Sequence, residues 1–535
     1  MEINLAYVVP VVAALFGVYF FVTRKKDYFH QKPIPSLGFS LPLGNTAPLY
    51  LRQASFGGFV QSIYNQFKGV KVFGMFDLID PVYVLRDPEL IKQVGVKDFD
   101  HFTDRVPIFG STAYDHPNLI VGKSLFTLTG QKWKNMRSTL SPAFTGSKMR
   151  QMFNLVVECS ENTAQYFLKE AHSKVAGLEY EMKNVFTRFA NDVIASCAFG
   201  IKVDSLENQS NDFYVNGKKM VDFNRISIMV RLIGHRLMPG VMGRLGIDLI
   251  DEEQNRYFSS LILSAIKERE AKGIVRQDMV NLLIQAKKGI LKHHQEKEQH
   301  EGFATVEESN LGKAQSMANL TDTELVAQCM VFFLAGFDTV STCLLFTAYE
   351  LTINPEVQKK LYAEIVETHA SLEGKSLTYD AMQKMKYMDM VISEALRKWP
   401  PVPQLDRICL KDYLLQCGDD LKFTIEKGSI VWFPVEGLHR DPKYYPNPDK
   451  FDPERFSDER KGAINAGAYI PFGIGPRNCI GSRLALAEVK TILYYMLLSF
   501  SFEKTSKTQD PLVIAKGFGE VIPRGGVHLE FRPRG

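Results

Sequence analysis

Ten residues near the end of the chain, Phe472-Gly473-Ile474-Gly475-Pro476-Arg477-Asn478-Cys479-Ile480-Gly481, are the most informative stretch of the sequence. Three glycines and a proline surround one cysteine, so the backbone is expected to form turns that a Cβ atom would forbid. Such a loop can lie flat against a planar ligand while the sulfur of Cys479 projects among backbone N–H groups. A thiolate sheltered in this way is suited to the proximal side of haem iron when dioxygen must be cleaved.

This decapeptide resembles the haem-binding loop of the cytochrome P450 monooxygenases, which reads Phe-x-x-Gly-x-Arg-x-Cys-x-Gly. The fixed positions of that pattern are all present, as Phe472, Gly475, Arg477, Cys479 and Gly481. The resemblance implies that Cys479 ligates the iron of haem b (iron protoporphyrin IX) and that Arg477 meets a haem propionate through a charge-assisted bond. Phe472 is expected to shield the sulfur from water, and Gly473 to contact the cofactor. A buried structural cysteine in a glycine-rich turn is the alternative.

The composition is that of an ordinary globular protein and argues against one class of partner. Of the 535 residues, 45% are hydrophobic and 23% are charged. The 37 Phe and 21 Tyr residues suit an enzyme that encloses an apolar ligand, although most such rings fill a core. The net charge of +4, without a long basic run, predicts no binding to nucleic acid.

Cysteine and histidine usage argues against a disulfide framework and a zinc site. The seven cysteines are odd in number and scattered, with no Cys-x-x-Cys pair. The catalytic part of the chain is therefore expected in a reducing compartment. We interpret His293, His294 and His300, which lie in a polar stretch, as solvated loop residues rather than metal ligands.

The chain begins with an apolar run that predicts a membrane anchor. Residues 5–22 carry no charge and are followed by Arg24, Lys25 and Lys26. A helix of this length rises about 27 Å, close to the ~30 Å of a bilayer's hydrocarbon core, although a buried core helix is the alternative. The positive-inside tendency places the remainder of the chain in the cytosol. The predicted parts are an anchor with its basic stop, a Pro/Gly-rich hinge and one catalytic domain, at residues 1–26, 27–44 and 45–535.

A long apolar helix is predicted between a capping signal and a proline. Thr321-x-x-Glu324 has the pattern of a capping box, and the chain then runs without proline as far as Asn354-Pro355. Its middle reads Ala335-Gly336-Phe337-Asp338-Thr339, where two small residues leave space beside an acid that is costly to bury. The hydroxyl of Thr339 could bond either to a ligand or back to a carbonyl of its own helix.

That middle segment resembles the oxygen-binding helix of the P450 family. The resemblance implies that Thr339 hydrogen-bonds bound oxygen, that Asp338 supplies protons, and that Ala335 lies against the haem. Phe332 and Phe333, one turn earlier, and Val402 are expected to contact the substrate.

Charged residues elsewhere resemble the family's structural and propionate-binding positions. Glu394-x-x-Arg397 and the arginine of Pro453-Glu454-Arg455-Phe456 are expected to form a buried network that holds the cysteine loop. Trp133-x-x-x-Arg137 resembles the family's Trp-x-x-x-Arg and is expected to reach the propionates. Arg407 and Arg105 align less tightly with further propionate contacts, and each could be an ordinary surface arginine.

Hydrophobic periodicity predicts a mainly helical chain with small β-sheets, an α+β class. Helical patterning dominates residues 87–398, and strand-like alternation is confined to residues 70–85, 421–432 and 521–531. Residues 287–318 are polar and predict a surface connection. The family resemblance implies the cytochrome P450 fold, preceded by the anchor helix.

The expected substrate sites are apolar and belong to four regions of the chain. They are the distal helix and residues 106–126, 402–405 and 514–518, which predict binding of lipophilic small molecules. Residues 223–249 are apolar and Met-rich, and they either dip into the bilayer or pack on the core.

The chain has no dinucleotide- or flavin-binding loop, so its electrons are expected to come from another protein. The resemblance implies NADPH used through NADPH–cytochrome P450 reductase, with cytochrome b5 as a further partner, on the cytosolic face of the endoplasmic reticulum. Basic residues that could contact the reductase are Lys132, Lys134, Arg483 and Lys490.

Three functional classes remain open at this point. The first is a monooxygenase of the unspecific type. The run Phe144-Thr145-Gly146-Ser147-Lys148 and the Phe-rich distal helix resemble microsomal insect members related to the animal drug-metabolising branch, which implies oxidation of plant toxins, insecticides and other xenobiotics. A hormone or lipid hydroxylase is the alternative within this class. The second is a haem-thiolate isomerase or dehydratase, whose members commonly lose the acid–Thr pair that this chain keeps. The third is a haem sensor or electron carrier without enzymatic activity.

Overall fold

The computed structural model describes residues 5–106, 116, 119–173, 178–290, 302–306, 320–418, 421–519 and 521–534. His293, His294 and His300, and most of the predicted surface connection, lie outside the described residues. The α-helices are α1 (Leu5–Thr23), α2 (Ala47–Tyr50), α3 (Phe56–Gln66), α4 (Pro88–Lys92), α5 (Gly130–Leu140), α6 (Gly146–Ser173), α7 (Met182–Ile194), α8 (Asp212–Val221), α9 (Ile226–Leu237), α10 (Pro239–Arg244), α11 (Glu252–Lys272), α12 (Met279–Lys287), α13 (Asp322–Ile353), α14 (Pro355–Ser371), α15 (Tyr379–Gln383), α16 (Lys386–Lys398), α17 (Val435–His439) and α18 (Ser482–Ser499).

The strands form three small sheets beside the helices. A four-stranded sheet has the order β1-β2-β7-β4, a three-stranded sheet the order β3-β9-β8, and β5 pairs with β6. The strands are β1 (Val72–Asp77), β2 (Asp80–Leu85), β3 (Leu178–Glu181), β4 (Leu405–Ile408), β5 (Tyr413–Cys417), β6 (Leu421–Ile425), β7 (Ile430–Phe433), β8 (Phe500–Lys504) and β9 (His528–Pro533). This mainly helical arrangement with small sheets confirms the predicted fold class.

Helix α13 crosses the middle of the main hydrophobic core. Its N-terminus is the predicted capping box, in which the Thr321 side chain accepts from the Glu324 N–H and Glu324 accepts from the Thr321 N–H. Its end at Asn354, just before a proline, also follows the prediction. By length and composition alone α13 could cross a bilayer, but most of its apolar stretch is buried inside the protein, so it is a core helix.

The strand predictions were correct where hydrophobic alternation was strong and incomplete elsewhere. Strands β1, β2 and β6 fall within the predicted segments, and β7 and β9 overlap them but end one and two residues later. Strands β3, β4, β5 and β8 were missed because each has only four or five residues and several include charged or polar side chains. Pairing with neighbours that are distant in sequence, rather than local pattern, defines them.

Helix α1 differs from the core helices in its surroundings. Apolar side chains along it, including Leu15, Phe16 and Phe20, are exposed rather than packed. Its basic end contacts the body of the protein, where Lys25 Nζ lies 2.9 Å from Asp80 Oδ1. The same carboxylate faces Arg236 of α9 at 3.7 Å, so one aspartate lies between the end of α1 and helix α9.

The segment after α1 packs against the four-stranded sheet. Ser36 forms a parallel bridge with Gly74, whose N–H donates to the carbonyl of Pro35. The buried ring of Phe29 lies directly over Gly74, where a Cβ atom would come within 2.5 Å of the ring carbon Cδ1. Glycine at position 74 therefore makes room for Phe29.

We expect Gly74→Ala to lower the free energy of unfolding by about 1–3 kcal/mol, because the added methyl group must displace Phe29. Urea unfolding of the detergent-solubilised protein, followed by circular dichroism, measures the change. Gly38→Ala is the matched control, since a Cβ at Gly38 meets no heavy atom of the described residues within 4 Å. Equal stability of the two variants would contradict the packing argument.

Candidate functional site

The loop that carries Cys479 is shaped by its glycines. Gly473 and Gly475 have φ values of +81° and +70°, which side chains other than glycine rarely adopt. A Cβ at Gly475 would lie 1.9 Å from the carbonyl oxygen of Gly95, so the backbone itself passes there. The loop closes on itself through a 2.8 Å bond from the Cys479 N–H to the carbonyl of Phe472.

The surroundings of Cys479 affect the ionisation of its thiol. Its side chain is accessible although the preceding residues, Pro476 to Asn478, are buried. Surrounding protein raises the pKa of the Cys479 thiol by desolvation, and the Gly481 N–H, which donates to the sulfur, is the largest effect opposing that rise. Helix α18 begins at Ser482, so its positive end also favours the thiolate.

Arg477 ties this loop to the rest of the protein. Its guanidinium donates to the carbonyls of Thr103 at 2.8 Å and Leu128 at 2.7 Å, and lies 3.6 Å from the carboxylate of Asp104. The same guanidinium lies 4.0 Å above the buried indole ring of Trp133, a cation–π contact. Trp133 therefore contacts Arg477, and the positions of the two residues in the sequence did not indicate this contact.

Three arginines meet at the edge of the loop. Arg105 donates to the carbonyl of Arg477 at 3.1 Å, and Arg407 donates to the carbonyl of Ile474 at 3.2 Å. Burial and then the charge of Arg105 lower the pKa of Arg407 to about 9, and the same two causes, with Arg407, lower the pKa of Arg477. Within the described residues the Arg407 Nε has no hydrogen-bond partner.

This arginine cluster fits an anionic group. Three cations face one another where, among the described residues, Asp104 and Asp406 supply the nearby negative charge. A ligand with carboxylates would relieve their repulsion and satisfy the Arg407 Nε. The predicted haem propionates have that chemistry, so the residues present fit the cofactor that the sequence implies.

Arg137 supports the loop from the side of α5. It donates to the backbone and side-chain oxygens of Asn478 at 3.0 and 2.8 Å, next to the cysteine. Asn478 stood in the decapeptide without an assigned role, and this contact supplies one.

The middle of α13 is open on one side. Ala335 is exposed although the helix around it is largely buried, and Gly336 is tight against Ile194, where a Cβ would lie 3.0 Å from Cδ1. The Thr339 hydroxyl donates to the carbonyl of Ala335 at 2.6 Å. The bond back to its own helix is therefore the one present in this structure.

Asp338 is engaged by a lysine that sequence reasoning missed. Lys183 of α7 donates to Asp338 Oδ1 at 2.6 Å, Thr342 Oγ1 at 2.8 Å and Ser341 Oγ at 3.0 Å. No motif marks Lys183, since it is 155 residues away in sequence and belongs to an ordinary amphipathic helix.

Hydrogen bonds connect α13 to the cysteine loop. Gln328 of α13 accepts from the Leu125 N–H at 2.8 Å and donates to the Lys123 carbonyl at 2.9 Å. The carbonyl of Leu125 in turn accepts from Arg477 at 3.4 Å. The two candidate sequence motifs thus share one structural segment.

Glu394, Arg397 and Arg455 lie in contact in the core. Arg397 donates to both carboxylate oxygens of Glu394, at 2.6 and 2.8 Å, and Arg455 Nε lies 3.4 Å from Glu394 Oε1. Arg397 also donates to the carbonyls of His439 and Pro448. The Glu394–Arg397 pair is fully buried, and its guanidinium spans the segments that lead to the cysteine loop.

The three candidate substrate residues occupy different surroundings. Phe332 is partly exposed and packs edge-on against Phe144, and Val402 is 39% exposed. Phe333 has no exposed surface and lies among other rings, including Phe213 and Phe258. The structure therefore places Phe333 in an aromatic core cluster.

One of the basic residues suggested for a partner surface is not at the surface. Lys490 is buried and lies 3.0 Å from Asp389, so the prediction that it contacts another protein was wrong. Its position on α18 directs the side chain towards the core, and residue type alone does not predict this orientation. Lys132 is exposed, and Lys134 forms a 2.8 Å ion pair with Asp100.

Comparison with known proteins gives matches along nearly the whole chain. A family model described as "Cytochrome P450" matches residues 41–531. "Cytochrome P450 9e2" of Blattella germanica is 44% identical over 521 residues, covering 95% of this chain and 94% of that protein. "Probable cytochrome P450 9f2" of Drosophila melanogaster is 42% identical over 528 residues, covering 98% of each. "Cytochrome P450 6k1" of Blattella germanica is 36% identical, covering 96% of this chain and 94% of that protein.

Gly475 of the cysteine loop should tolerate alanine far less well than a glycine outside the loop. Gly475→Ala is expected to reduce the haem content of the purified protein below about a tenth of the wild-type value. The backbone conformation of Gly475 and the Gly95 carbonyl both exclude a side chain there. Gly462→Ala is the control, since Gly462 lies outside the cysteine loop and a Cβ there meets no heavy atom of the described residues within 4 Å. The pyridine haemochromogen assay measures haem per chain, and equal loss in both variants would refute this explanation.

The buried Glu394–Arg397 pair should contribute far more to the free energy of unfolding than an exposed ion pair formed by a residue of the same helix. Arg397→Ala is expected to lower the free energy of unfolding by about 3–5 kcal/mol, because it leaves the Glu394 carboxylate buried without its main partner. Lys386→Ala, which removes the exposed Lys386–Asp458 pair, should leave the free energy of unfolding nearly unchanged, because solvent screens that pair. Denaturant unfolding of both variants tests this, and similar losses would contradict it.

Proposed function

Because the chain belongs to the cytochrome P450 family, we propose that it is a haem-thiolate monooxygenase that inserts one oxygen atom from O2 into lipophilic small molecules. The observation that carries this proposal is the Cys479 loop, with a backbone N–H directed at the sulfur and an arginine cluster beside it. A thiolate-ligated haem supplies activation of dioxygen. Cys479 would ligate the iron, Arg105, Arg407 and Arg477 would hold the propionates, and Phe472, Gly473 and Ala335 would lie against the ring.

Helix α13 would supply the proton chemistry. Asp338 and Lys183 form a polar group that joins the space beside Thr339 to the α7 side of the helix. Once its bond to Lys183 opens, the Asp338 carboxylate can take up a proton from water at Oδ1 and pass it on, and the Thr339 hydroxyl can turn from the Ala335 carbonyl towards a ligand. This acid–Thr pair favours a monooxygenase over the isomerase or dehydratase alternative.

The substrates are proposed to be lipophilic xenobiotics such as plant toxins or insecticides. Phe332, one turn before Ala335 on α13, is partly exposed and offers apolar surface without charge. The insect relatives support this choice at the level of family. A hormone or lipid hydroxylase has the same site chemistry and remains the second candidate.

Electrons are proposed to come from NADPH through a separate reductase, with cytochrome b5 as an accessory donor. The sequence contains no dinucleotide- or flavin-binding motif, so the electrons must come from a separate protein. Exposed Lys132 and partly exposed Lys134 and Arg483 lie on or beside the elements that flank Cys479, where a docked flavoprotein would have to deliver electrons.

The protein is proposed to lie on the cytosolic face of the endoplasmic reticulum membrane, with an anchor at residues 1–26, a hinge at 27–44 and the catalytic domain at 45–535. Helix α1 exposes apolar side chains along its length. Helices α9 and α10 bury one face in the core and expose apolar residues on the other: Ile226, Val230, Met238 and Val241. These surfaces are suited to a bilayer.

The proposal predicts thiolate spectroscopy together with reductase-dependent turnover. The reduced, carbon monoxide-bound protein should show the red-shifted Soret band of thiolate ligation, and Cys479→Ser should lose it. Product formation from a panel of plant allelochemicals, insecticides and steroids should require NADPH and reductase. Asp338→Asn should retain the band and slow turnover roughly a hundredfold, whereas the surface variant Asp458→Asn should leave the rate unchanged.

Turnover of a peroxide substrate without NADPH would support the isomerase alternative. A well-folded, haem-loaded protein without the red-shifted band would overturn the haem-thiolate assignment itself.

A further inference from the structure

Part of the polar stretch between α12 and α13, residues 302–306, packs against the core instead of lying at the surface. Ala304 is buried there, and Phe303 contacts the main hydrophobic cluster. The N–H of Thr305 donates to the carbonyl of Gly302 at 3.3 Å, so the segment contains a tight turn. We call residues 302–306 the strap.

The backbone of the strap is attached to α16 through Asp389. The Phe303 N–H donates to Asp389 Oδ2 at 2.8 Å, and Lys490 Nζ of α18 lies 3.0 Å from the other carboxylate oxygen. A buried carboxylate is costly unless it is paired, so the strap N–H and Lys490 together stabilise its charge. Glycine at position 302 allows this approach, because its φ is +118° and a Cβ there would lie 2.7 Å from Asp389 Oδ1.

The ring of Phe303 packs against two other aromatic rings. Its centroid lies 4.9 Å from that of Phe456 and 5.2 Å from that of Tyr469, and the rings of Phe456 and Tyr469 are 5.0 Å apart. The interplanar angles of the three pairs lie between 51° and 62°. Tilted pairs at these distances attract one another beyond the burial of their area, so the three rings form one aromatic cluster.

Tyr469 connects this cluster to the cysteine loop. It stands just before the loop in sequence, which begins at Phe472. Its hydroxyl donates to the carbonyl of Ser393 at 2.9 Å, and its ring stacks on that of His439, with centroids 5.4 Å apart and an interplanar angle of 18°. Tyr469 is therefore held by side chains and backbone from distant parts of the chain, one of which is the strap.

Hydrogen bonds continue from Tyr469 towards Cys479. The N–H of Ile470 donates to His439 Nε2 at 3.0 Å. Burial lowers the pKa of His439 to about 3, so its ring is neutral and this nitrogen can accept. The N–H of Cys479 in turn donates to the carbonyl of Phe472 at 2.8 Å. A displacement of Tyr469 therefore moves the backbone to which the cysteine is bonded.

We infer that Phe303 is a positioning residue for the thiolate ligand: the strap holds Tyr469 in place, and Tyr469 keeps the loop of Cys479 in the geometry that ligates haem iron. This inference rests on the proposed haem-thiolate function. It gives a role in iron ligation to a segment that is far from the cysteine in sequence and carries no motif.

The test is the rate at which the reduced, carbon monoxide-bound holoenzyme loses the red-shifted Soret band, at a temperature where circular dichroism shows that the protein stays folded. Phe303→Ala should raise this rate about tenfold, because Tyr469 loses an aromatic contact. Phe303→Tyr, which keeps the ring, should retain the wild-type rate. Phe531→Leu is the matched control, since it removes a buried ring that packs on Phe167 and Phe502. It should lower the free energy of unfolding and leave the rate of band loss unchanged.

Gly302→Ala tests the strap without altering its ring. The added methyl group would collide with Asp389, so the strap should leave α16 and the band should be lost as fast as in Phe303→Ala. Hydrogen exchange followed by mass spectrometry should show slow exchange of the Phe303 N–H in the wild type and fast exchange in this variant. Gly462→Ala should behave like the wild type, since a Cβ there meets no heavy atom of the described residues within 4 Å.

Wild-type rates of band loss in both Phe303→Ala and Gly302→Ala would overturn the inference. An equal acceleration by Phe531→Leu would also overturn it, because the effect would then reflect general stability, and so would fast exchange of the Phe303 N–H in the wild type. Phe303→Leu replaces Phe303→Ala if the latter does not fold. A folded, haem-loaded wild type without the red-shifted band would refute the haem-thiolate assignment itself, whereas a normal wild-type band with unchanged variants would refute the role of the strap alone.

Discussion

The contacts of one guanidinium, that of Arg477, hold the candidate site together. Arg477 reaches the carbonyls of Thr103 and Leu128 while its flat face rests on Trp133. These contacts fix the loop that carries Cys479 against segments distant in sequence, one of which is bonded to helix α13. Because the guanidinium is buried near two other arginines, an anion bound beside it would improve the charge balance. The fold thus prepares an anion site beside a thiol.

Much of the site could be predicted from the sequence because its chemistry is written in local motifs. The glycines of the decapeptide require backbone conformations that the structure has, and the capping box of α13 begins where Thr321 predicts. The contact of Glu394 with Arg397 follows from their spacing on one helix face. Such features depend on residues close in sequence, so a single chain reveals them.

The remaining features depend on contacts between distant segments and could not be predicted. Lys183 bonds to Asp338, although nothing in the sequence around either residue indicates the other. Lys490 looked like a surface charge but turns inward to Asp389. Strand β4 has only four residues and is defined by its pairing with β7. The stacking of Arg477 on Trp133 likewise joins residues that are far apart in the chain. Burial and tertiary pairing, rather than propensity, determine each of these outcomes.

Asp80 is shared between Lys25, at the end of the first helix, and Arg236 of α9. A carboxylate that interacts with two cations couples them electrostatically, because moving one cation changes the most favourable position of the other. A change in the orientation of the first helix therefore changes the electrostatic environment of Arg236 on α9. The Lys25 contact is partly exposed to solvent, so this electrostatic coupling weakens as the ionic strength rises.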